Sequence, residues 1–381
     1  MLKLLELGVN PLEFDFVESP PRSSLEIAMG SLQEIDTVKD GAITELGRWV
    51  AKLPLEPRLG VLVKNGIDKG VPIEAMVLAA CYCSSGMFFR MGTEAEKKAA
   101  DVQKTKFCHP GGDMMTMLNV FKDWHTVNEK DKGKWCKENS INGKSMKGIR
   151  ETINETLTIL KREMKEDIKF ELKQGNNTDE LLQGLVIKCM KSNVCCFLGH
   201  EQAGYITTKQ LQHVQIHPSS SMKSLGQTPR FLVYWQLLQT SRTFITNLTP
   251  VDEDSLKKSE TQVTLEINEE EIQRQCVSLT GKFPVGNLVF RKFVGPLHKN
   301  RREKEEQIRA LCENTIVIIE ANREVGEIQL FCNQKFSSFA NAQLLEEIKS
   351  FTEPLKQQTV EVHLGKNESG VRAILGDGGM A

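Results

Sequence analysis

The sequence predicts a multidomain protein with a mainly helical N-terminal half, then a small β-barrel, and then an α/β sandwich module. Three observations support this. The 381 residues suffice for about two to four domains of roughly 100–200 residues. Helical periodicity with short glycine and proline breaks dominates up to about residue 175. After residue 191 the chain changes to short β-rich segments separated by turn residues.

The first 56 residues alternate short helices with one small hairpin. The segment from Thr37 to Ile43 contains Asp40-Gly41, which suits a tight turn between two short strands. Thr44 and Glu45 then open another helix. Short helices interleaved with a hairpin are typical of a winged helix, which we place within residues 1–56.

Residues 57–175 read as a helical bundle, because nearly every segment has helical periodicity and the breaks are short. The predicted helices are Pro57–Gly66, Pro72–Ser84, Gly92–Lys104, Met114–Trp124, Lys132–Asn139 and Met146–Lys173.

Residues 176–252 begin with a helix at Asp179–Lys191 and continue as strands. Four to five strands in about 60 residues suggest a small barrel, and the oligonucleotide-binding (OB) fold is the common barrel of that size. The predicted strands are Val194–Leu198, Gly204–Thr207, Val214–His217 and Phe231–Gln239.

A charged linker, Asp252–Glu260, leads to an α/β module at 261–381. Its pattern resembles small RNA-binding modules of the RRM or KH type, although such folds host unrelated functions too, and it ends without an obvious terminal element. The predicted elements are a strand (Thr261–Ile267), a helix (Glu269–Leu279), a strand (Val285–Val294), a helix (Arg301–Cys312), a hairpin (Thr315–Glu320 and Glu327–Phe331), a helix (Ser338–Phe351) and a strand (Thr359–Leu364).

Composition and the absence of several motifs exclude some classes of protein and of functional site. With 49 basic and 50 acidic residues the net charge is −1, so a nucleic-acid site must be a local patch. The ten cysteines form no C-x-x-C pair, which disfavours a zinc ribbon and indicates a reducing compartment. No G-x-x-x-x-G-K-[ST] loop is present, so nucleotide hydrolysis lacks its phosphate cradle. No signal or membrane-spanning segment is evident. We expect an intracellular protein, nuclear or cytoplasmic.

A known family becomes visible around residues 104–124. There Phe107, His109-Pro110-Gly111-Gly112-Asp113 and Trp124 resemble the ratchet-domain signature of DEAH/RHA-type RNA helicases. Colinear blocks extend this resemblance over about residues 1–250. They are Phe14-Asp15-Phe16, Pro20-Pro21, Leu53-Pro54-Leu55-Glu56-Pro57, Trp135–Asn139, Asn142–Met146, Val214–Ser221 and Val233-Tyr234.

The resemblance implies the carboxy-terminal region of an ATP-dependent helicase without its RecA-like motor domains. We therefore expect a part of a longer helicase, or a motorless isoform, that does not hydrolyse ATP alone. ATP and magnesium are expected only for the motor domains, so this chain should hold no cofactor and no metal. The sequence departs from the family pattern at Met114, where the family usually has His, and at Lys144 and Ile153, where it has Arg.

The family channels single-stranded RNA, which it holds mostly by the sugar–phosphate backbone. The RNA-binding candidates in this chain are cations, turn glycines and hydroxyl or imidazole groups near the two matching blocks. They are Lys104, Lys106, His109, Gly111, Gly112, Lys144, Ser145, Lys147, Lys209, His217, Ser219 and Ser220. Asp113 suits a structural N-cap. The lysines could also line a solvated face, and the His217–Ser221 segment could be a plain turn.

The preferred function is an RNA-holding accessory region of a DEAH-box helicase. Its expected partners are single-stranded RNA, the motor domains in cis or in trans, and protein cofactors, with no membrane. The alternative is a protein–protein adaptor that keeps the scaffold but has lost RNA binding. A self-contained enzyme has no motif in its favour, and no catalytic residue is assigned.

Overall fold

The computed structural model describes residues 1–84, 86–90, 92–173, 175–251 and 269–356. The chain forms two compact units, Met1–Ile272 and Gln273–Ala381. The predicted linker at Asp252–Glu260 and the predicted strands Thr261–Ile267 and Thr359–Leu364 lie outside the described residues. About half of the described chain is helical.

The first unit begins with α1 (Leu2–Glu6), α2 (Arg22–Glu34), a two-stranded hairpin and α3 (Glu45–Ala51). The hairpin strands are β1 (Val38–Lys39) and β2 (Ala42–Ile43). Asp40 and Gly41 join them and both have positive φ, which the two-residue turn requires. The tight turn predicted from the sequence is present.

The helical bundle surrounds one largely apolar helix, α5. It is buried from Ile73 to Cys81 and packs against α4, α7 and α9, as expected for a helix with apolar residues on all sides. Its one charged residue, Glu74, is buried and accepts a hydrogen bond from the Lys173 amide. The bundle helices are α4 (Pro57–Asp68), α5 (Pro72–Cys83), α6 (Glu94–Thr105), α7 (Asp113–Thr126), α8 (Lys132–Glu138) and α9 (Gly143–Met164).

The last bundle helix is shorter than the sequence predicted. It ends at Met164, because Lys165 adopts a left-handed conformation with φ 59°. Residues 165–173 then run without helix, and Ile168, Phe170 and Leu172 pack on the core while the residues between them are exposed. This alternation has the period of an extended chain, so the predicted helix Met146–Lys173 is wrong over its final third.

A curled, seven-stranded half-barrel follows α10 (Asn176–Cys189). Its strand order is β7-β8-β5-β4-β3-β6-β9, which is consistent with an OB fold. The predicted strand Phe231–Gln239 is in fact two strands that lie near opposite ends of the sheet, which curls it. The elements are β3 (Val194–Phe197), β4 (Tyr205–Thr207), β5 (His213–Ile216), α11 (Ser221–Ser224), β6 (Phe231–Val233), β7 (Gln236–Gln239), β8 (Thr243–Thr246) and β9 (Thr249–Val251).

The second unit is a three-stranded antiparallel sheet, ordered β10-β12-β11, whose core is shared with three helices. Its elements, after α12 (Glu269–Gln275), are β10 (Ser278–Pro284), α13 (Asn287–Val294), α14 (Lys299–Leu311), β11 (Val317–Asn322), β12 (Glu327–Cys332) and α15 (Ser337–Lys356).

One strand of the second unit was predicted in the wrong place. The predicted strand Val285–Val294 is largely a helix, α13 (Asn287–Val294), and the first described strand lies earlier, where the predicted helix Glu269–Leu279 ends. Val289, Phe290 and Phe293 are buried, a spacing that places them on one face of a helix. β-branched and aromatic residues had favoured a strand there, but tertiary packing decides in favour of helix.

Among the described residues, no helix combines the length and apolar character that crossing a bilayer needs. All ten cysteines lie in the described residues and are thiols rather than disulfides, and most of them are buried in the cores, whereas Cys83 is exposed.

Candidate nucleic-acid interface

The carboxylate of Asp113 joins the helical bundle to the barrel. It is buried at the start of α7 and accepts hydrogen bonds from three residues of the barrel. The Ser220 hydroxyl donates to it at 2.9 Å, the Ser221 amide and hydroxyl at 2.6 and 2.7 Å, and the Leu248 amide at 2.9 Å. In return, the Asp113 amide donates to the Leu248 carbonyl at 2.8 Å.

This arrangement corrects the predicted N-cap role of Asp113. Gly112 occupies the N-cap position of α7, and Asp113 makes no capping bond there. The helix begins one residue earlier than an Asp113 cap would require, so the carboxylate is free to turn towards the barrel. Four donors on one ionised acceptor make strong, charge-assisted hydrogen bonds, and they fix the position of the barrel turn.

The two glycines before Asp113 also pack against protein, which corrects their prediction as RNA contacts. Both are buried. A side chain on Gly112 would overlap the Leu248 carbonyl and approach Pro250, and one on Gly111 would overlap Gln183. The glycines therefore allow the barrel and α10 to approach the bundle, not a strand of RNA.

Lys104 makes a second link across the same boundary. It is buried near the end of α6, and its ammonium group donates to the Ser219 carbonyl and lies 4.9 Å from the centre of the Phe88 ring. Burial lowers the pKa of this ammonium group, and the Asp113 carboxylate opposes that shift. Lys104 is therefore a cation at the junction, partly committed to protein.

A groove of about 500 Å³ lies between the bundle and the barrel. The bundle side contributes the segment Gly86–Arg90 and α6, and the barrel side contributes the His217–Ser220 turn. The predicted residues Lys104, His217, Ser219 and Ser220 all line this groove, together with Arg90, Lys223 and Asn247. Asp101 and Asp113 line the groove as well. Residues more than a hundred positions apart in sequence thus meet in one polar cleft that contains charges of both signs.

Comparison with known proteins agrees with this geometry. Residues 183–259 match the family model described as an oligonucleotide/oligosaccharide-binding (OB) fold. Two Arabidopsis thaliana proteins, ATP-dependent RNA helicases DEAH12 and DEAH11, both described as chloroplastic, are each 29% identical over 343 and 357 residues, or 87% and 90% of this chain. The predicted resemblance to DEAH-box RNA helicases is confirmed.

The helicase likeness covers most of this chain but little of the relatives. The chain spans about a fifth of their length, 19% of one helicase and 20% of the other.

Several predicted RNA contacts of the helicase-like region face protein instead. His109 stabilises its own turn, because its Nδ1 accepts the Gly111 amide hydrogen at 2.9 Å, and its Nε2 lies 3.6 Å from the Asp179 carboxylate. The Ser145 hydroxyl is buried and donates to the Gly86 carbonyl at 2.8 Å. Ser145 therefore supports the segment that lines the groove rather than facing a ligand.

The remaining predicted cations divide into bound and free. Lys209 pairs with Glu34 at 2.5 Å, away from the groove lining. Burial alone would raise the pKa of Glu34, but hydrogen bonds from Lys209 and Ser192 lower it on balance. Lys106 is exposed, and its ammonium group donates to the side chain of Gln103. Lys144 and Lys147 are exposed near the start of α9, and no carboxylate in the described ranges pairs with them.

Two departures from the helicase pattern lie in the core. Met114 and Ile153 are fully buried, so neither faces the groove. Met114 stands where the family usually has His, and Ile153 where it has Arg. Because both positions are buried in this fold, these differences remove no cation from the surface that a ligand could reach.

On the bundle side of the groove, the segment Gly86–Arg90 was not predicted. Phe88, Phe89 and Arg90 line the groove, and Phe89 is 47% exposed. Arg90 is held by two hydrogen bonds to the Asp101 carboxylate, at 2.8 and 3.1 Å. The available signal was two aromatic residues followed by arginine in a break between helices, a combination used to stack bases and hold phosphates.

We expect His217 to titrate below the ordinary histidine value of about 6.5. Burial lowers its pKa, and Lys104 and Arg90 lower it further, whereas Asp113 raises it. The imidazole is then neutral at pH 7, and the fold loses stability as the pH falls below about 6.5, because the unfolded chain takes up the proton more readily. Proton NMR can measure the titration midpoint of His217, and the spectrum of a His217→Gln variant assigns the signal. A midpoint above 6.5 would contradict the expectation.

Proposed function

We propose that the first unit holds single-stranded RNA by its sugar–phosphate backbone in the groove between bundle and barrel. The observation that carries the proposal is that Lys104, His217 and the exposed Ser219, which belong to two separate blocks of the sequence, line one cleft. The predicted contact Ser220 is instead buried and bonds Asp113. Cations with hydroxyl and amide donors form the kind of surface that positions phosphates without reading bases.

Two cations at the rim of the groove, Arg90 and Lys223, remain available to a phosphate. Arg90 pairs with Asp101 and Lys223 pairs with Glu201 at 3.3 Å, and these side chains are about a third to two-thirds exposed. Exposed ion pairs stabilise a protein by only about 0–1 kcal/mol, so a phosphate can compete for either cation. Phe89 adds an exposed aromatic face on which a base can stack.

Replacing both rim cations should weaken RNA binding. In an Arg90→Ala/Lys223→Ala variant, we expect affinity for a labelled single-stranded RNA to fall about tenfold at low salt. The slope of log affinity against log salt should become shallower by about two, one for each lost phosphate contact. Fluorescence anisotropy at several salt concentrations measures both quantities.

The matched control removes two exposed lysines, Lys130 and Lys188, that do not line the groove. A Lys130→Ala/Lys188→Ala variant has the same charge change and should bind almost as the parent does. A Lys144→Glu/Lys147→Glu variant tests whether the RNA path extends along α9. Equal loss in the control and the groove variant would mean that net charge, not the groove, governs binding.

The finer architecture belongs to the same proposal. We assign residues 1–56 to a junction and winged helix, with the β1–β2 hairpin as the wing. The motor domains would act on the bound RNA in cis or in trans and would supply ATP and magnesium, so this chain would need no cofactor of its own. Protein cofactors are further proposed partners.

One observation favours a second candidate, the protein–protein adaptor. Lys104, Lys209, Arg90 and Lys223 all contact protein groups already. RNA binding that is undetectable even at low salt would support the adaptor and reject the groove.

A further inference from the structure

The strand β7 forms one outer edge of the half-barrel. In the strand order β7-β8-β5-β4-β3-β6-β9 it has a neighbouring strand on one side only. All four of its residues, Gln236–Gln239, are exposed, and so is the segment 240–242 that joins it to β8. Leu237 and Leu238 are 42% and 43% exposed. β7 therefore presents an open edge that carries two apolar side chains.

The backbone groups along this edge have no partner within the described part of the chain. In an antiparallel pair, the backbone groups of successive residues point alternately towards the neighbouring strand and away from it. The Thr240 amide points towards β8, because it donates to the Arg242 carbonyl at 2.9 Å. By this alternation Leu238 also faces β8, whereas the amides and carbonyls of Leu237 and Gln239 point outwards. The edge thus offers two donors and two acceptors to another strand.

β7 also lacks the residues that usually protect an edge strand. Such strands commonly carry lysine, another charged residue or proline, which discourage pairing with a further strand. Between Arg230 and Asp252 the only charged residue of the sequence is Arg242, and β7 contains no proline. The opposite edge strand, β9, is buried at both of its ends and contains Pro250. Only one edge of the half-barrel is therefore open to strand addition.

A second copy of the chain satisfies every outward backbone group of this edge. In an antiparallel arrangement with a two-fold axis at Leu238, Leu237 lies opposite Gln239 of the second copy, and Gln239 lies opposite Leu237 of the second copy. Each of these two pairs exchanges two hydrogen bonds. All outward donors and acceptors of both edges are then used. The interface is isologous, because both copies contribute the same residues.

The side chains favour the same register. Leu238 lies opposite the partly buried Phe244 of β8, and across the axis it lies opposite Leu238 of the second copy. An apolar row of two phenylalanines and two leucines therefore crosses the joined sheet, the kind of cross-strand contact that stabilises sheets. Arg242 follows four residues after Leu238, so the arginines of the two copies lie at opposite ends of the interface and do not repel each other.

We propose that two copies of the chain associate through antiparallel pairing of β7, which joins their half-barrels into one continuous sheet. An edge of four residues buries less area than the roughly 1,600 Å² of a standard interface, so the dimer is weak and half formed at about 10–100 μM. None of the residues of β7 lines the RNA groove. Self-association and RNA binding can therefore fail independently of each other.

Sedimentation velocity of the full chain tests the proposal. Between about 1 and about 200 μM the weight-average mass should rise from the monomer value towards twice that value. Leu237→Pro removes an outward amide and leaves the bonds to β8 intact, because proline is tolerated at an edge. It should raise the dissociation constant at least tenfold. Leu237→Ala is the matched control, since it shortens the same side chain but keeps the amide, and should stay within about threefold of the parent.

A second variant tests the axis without changing the backbone. Leu238→Lys places two like charges opposite each other and should also weaken the dimer at least tenfold. Its matched control is Val102→Lys on α6, which makes an exposed apolar residue cationic away from β7 and should leave the dissociation constant unchanged. Circular dichroism verifies that every variant is folded.

Disulfide formation locates the two-fold axis. Residues opposite each other at a pair without hydrogen bonds have Cα atoms about 4.5 Å apart, within the range of a disulfide. In a Cys83→Ser background, which removes the exposed native thiol, mild oxidation should link two copies of the Leu238→Cys variant. Gln239→Cys in the same background should form far less linked dimer, because Leu237 of the second copy lies opposite that position.

Three results would overturn the pairing. They are a chain that stays monomeric up to about 200 μM, a dimer that neither Leu237→Pro nor Leu238→Lys weakens, and equal linkage of the two cysteine variants. The first would leave the open edge to an extended segment of another protein. The second would place the contact elsewhere on the chain, and the third would exclude an axis at Leu238.

Discussion

Replacing Asp113 with alanine should destabilise the first unit by about 3–5 kcal/mol, because hydrogen bonds to a charged group contribute about 1.5–3 kcal/mol each and buried donors without a partner cost more. The substitution leaves the donors of Ser220, Ser221 and Leu248 without their acceptor. It also removes from the buried Lys104 cation the stronger of its two carboxylate neighbours, Asp113, and leaves only the weaker influence of Asp101.

Urea unfolding followed by tryptophan fluorescence can measure this effect selectively. All four tryptophans, Trp49, Trp124, Trp135 and Trp235, lie in the first unit, so the signal does not include the second. Asp123→Ala is the matched control, because it makes the same substitution on an exposed position of the same helix. Burial raises the pKa of Asp123, so its ionised form gains nothing from folding and its removal should be nearly neutral. A loss below about 1 kcal/mol for Asp113→Ala would show that water replaces the carboxylate at little cost.

Gly112→Ala should be comparably damaging, with an expected loss of about 3 kcal/mol or more. Gly112 has a φ of 97° and a ψ of −169°, a conformation that is almost exclusive to glycine and costs other residues about 1–3 kcal/mol. Its new methyl group would also overlap the Leu248 carbonyl. Because that neighbour is backbone held by Asp113, it cannot move without breaking the junction of bundle and barrel.

Two other glycines calibrate this result in the same unfolding assay. Gly111→Ala should cost less, since its φ is ordinary and its nearest contact is the flexible end of Gln183. Gly148→Ala, in the middle of α9 with open space around it, should stabilise the unit by about 0.5–1 kcal/mol, because alanine favours helix over glycine. If Gly112→Ala resembled Gly111→Ala, the close approach of Leu248 would not matter for stability.

Local sequence patterns were sufficient to predict the elements whose buried residues recur at the regular spacing of a helix or whose turn residues are distinctive. The helices from Pro57 to Glu138 and the hairpin at Asp40-Gly41 were predictable, since helical spacing and turn residues are properties of neighbouring residues. Residues 165–173 were predicted as helix because their alternation of buried and exposed residues follows directly on a long helix. Only the left-handed conformation of Lys165, which the sequence does not show, marks the end of that helix. Segment 285–294 was misread because β-branched and aromatic composition outweighed spacing.

The candidate site was predictable only in part, for a physical reason. Lys104 and the His217–Ser220 turn could be selected as residue types suited to phosphates. What sequence could not show is which polar groups fold against each other. Asp113, Gly112 and Ser145 are residue types that also occur at ligand contacts. In this fold, however, they contact protein atoms that lie more than fifty positions away in the sequence. Such long-range partners are determined by topology rather than by local pattern.

Two side chains of α14 bond the backbone of Ile319 in β11, and these bonds bear on self-association. The Ile319 amide donates to the Glu305 carboxylate at 3.0 Å, and the Ile319 carbonyl accepts from Arg301 at 2.7 Å. A bare strand edge is a template on which an extended segment of another molecule can add, the usual first step towards aggregation. In β11 that position is already occupied by side chains of the same chain, and β10 has a register shift between Leu279 and Gly281 and ends in Pro284. Irregularity and proline both discourage such pairing. Among the described residues, both outer strands of this three-stranded sheet therefore carry a feature that discourages the addition of a strand from another molecule.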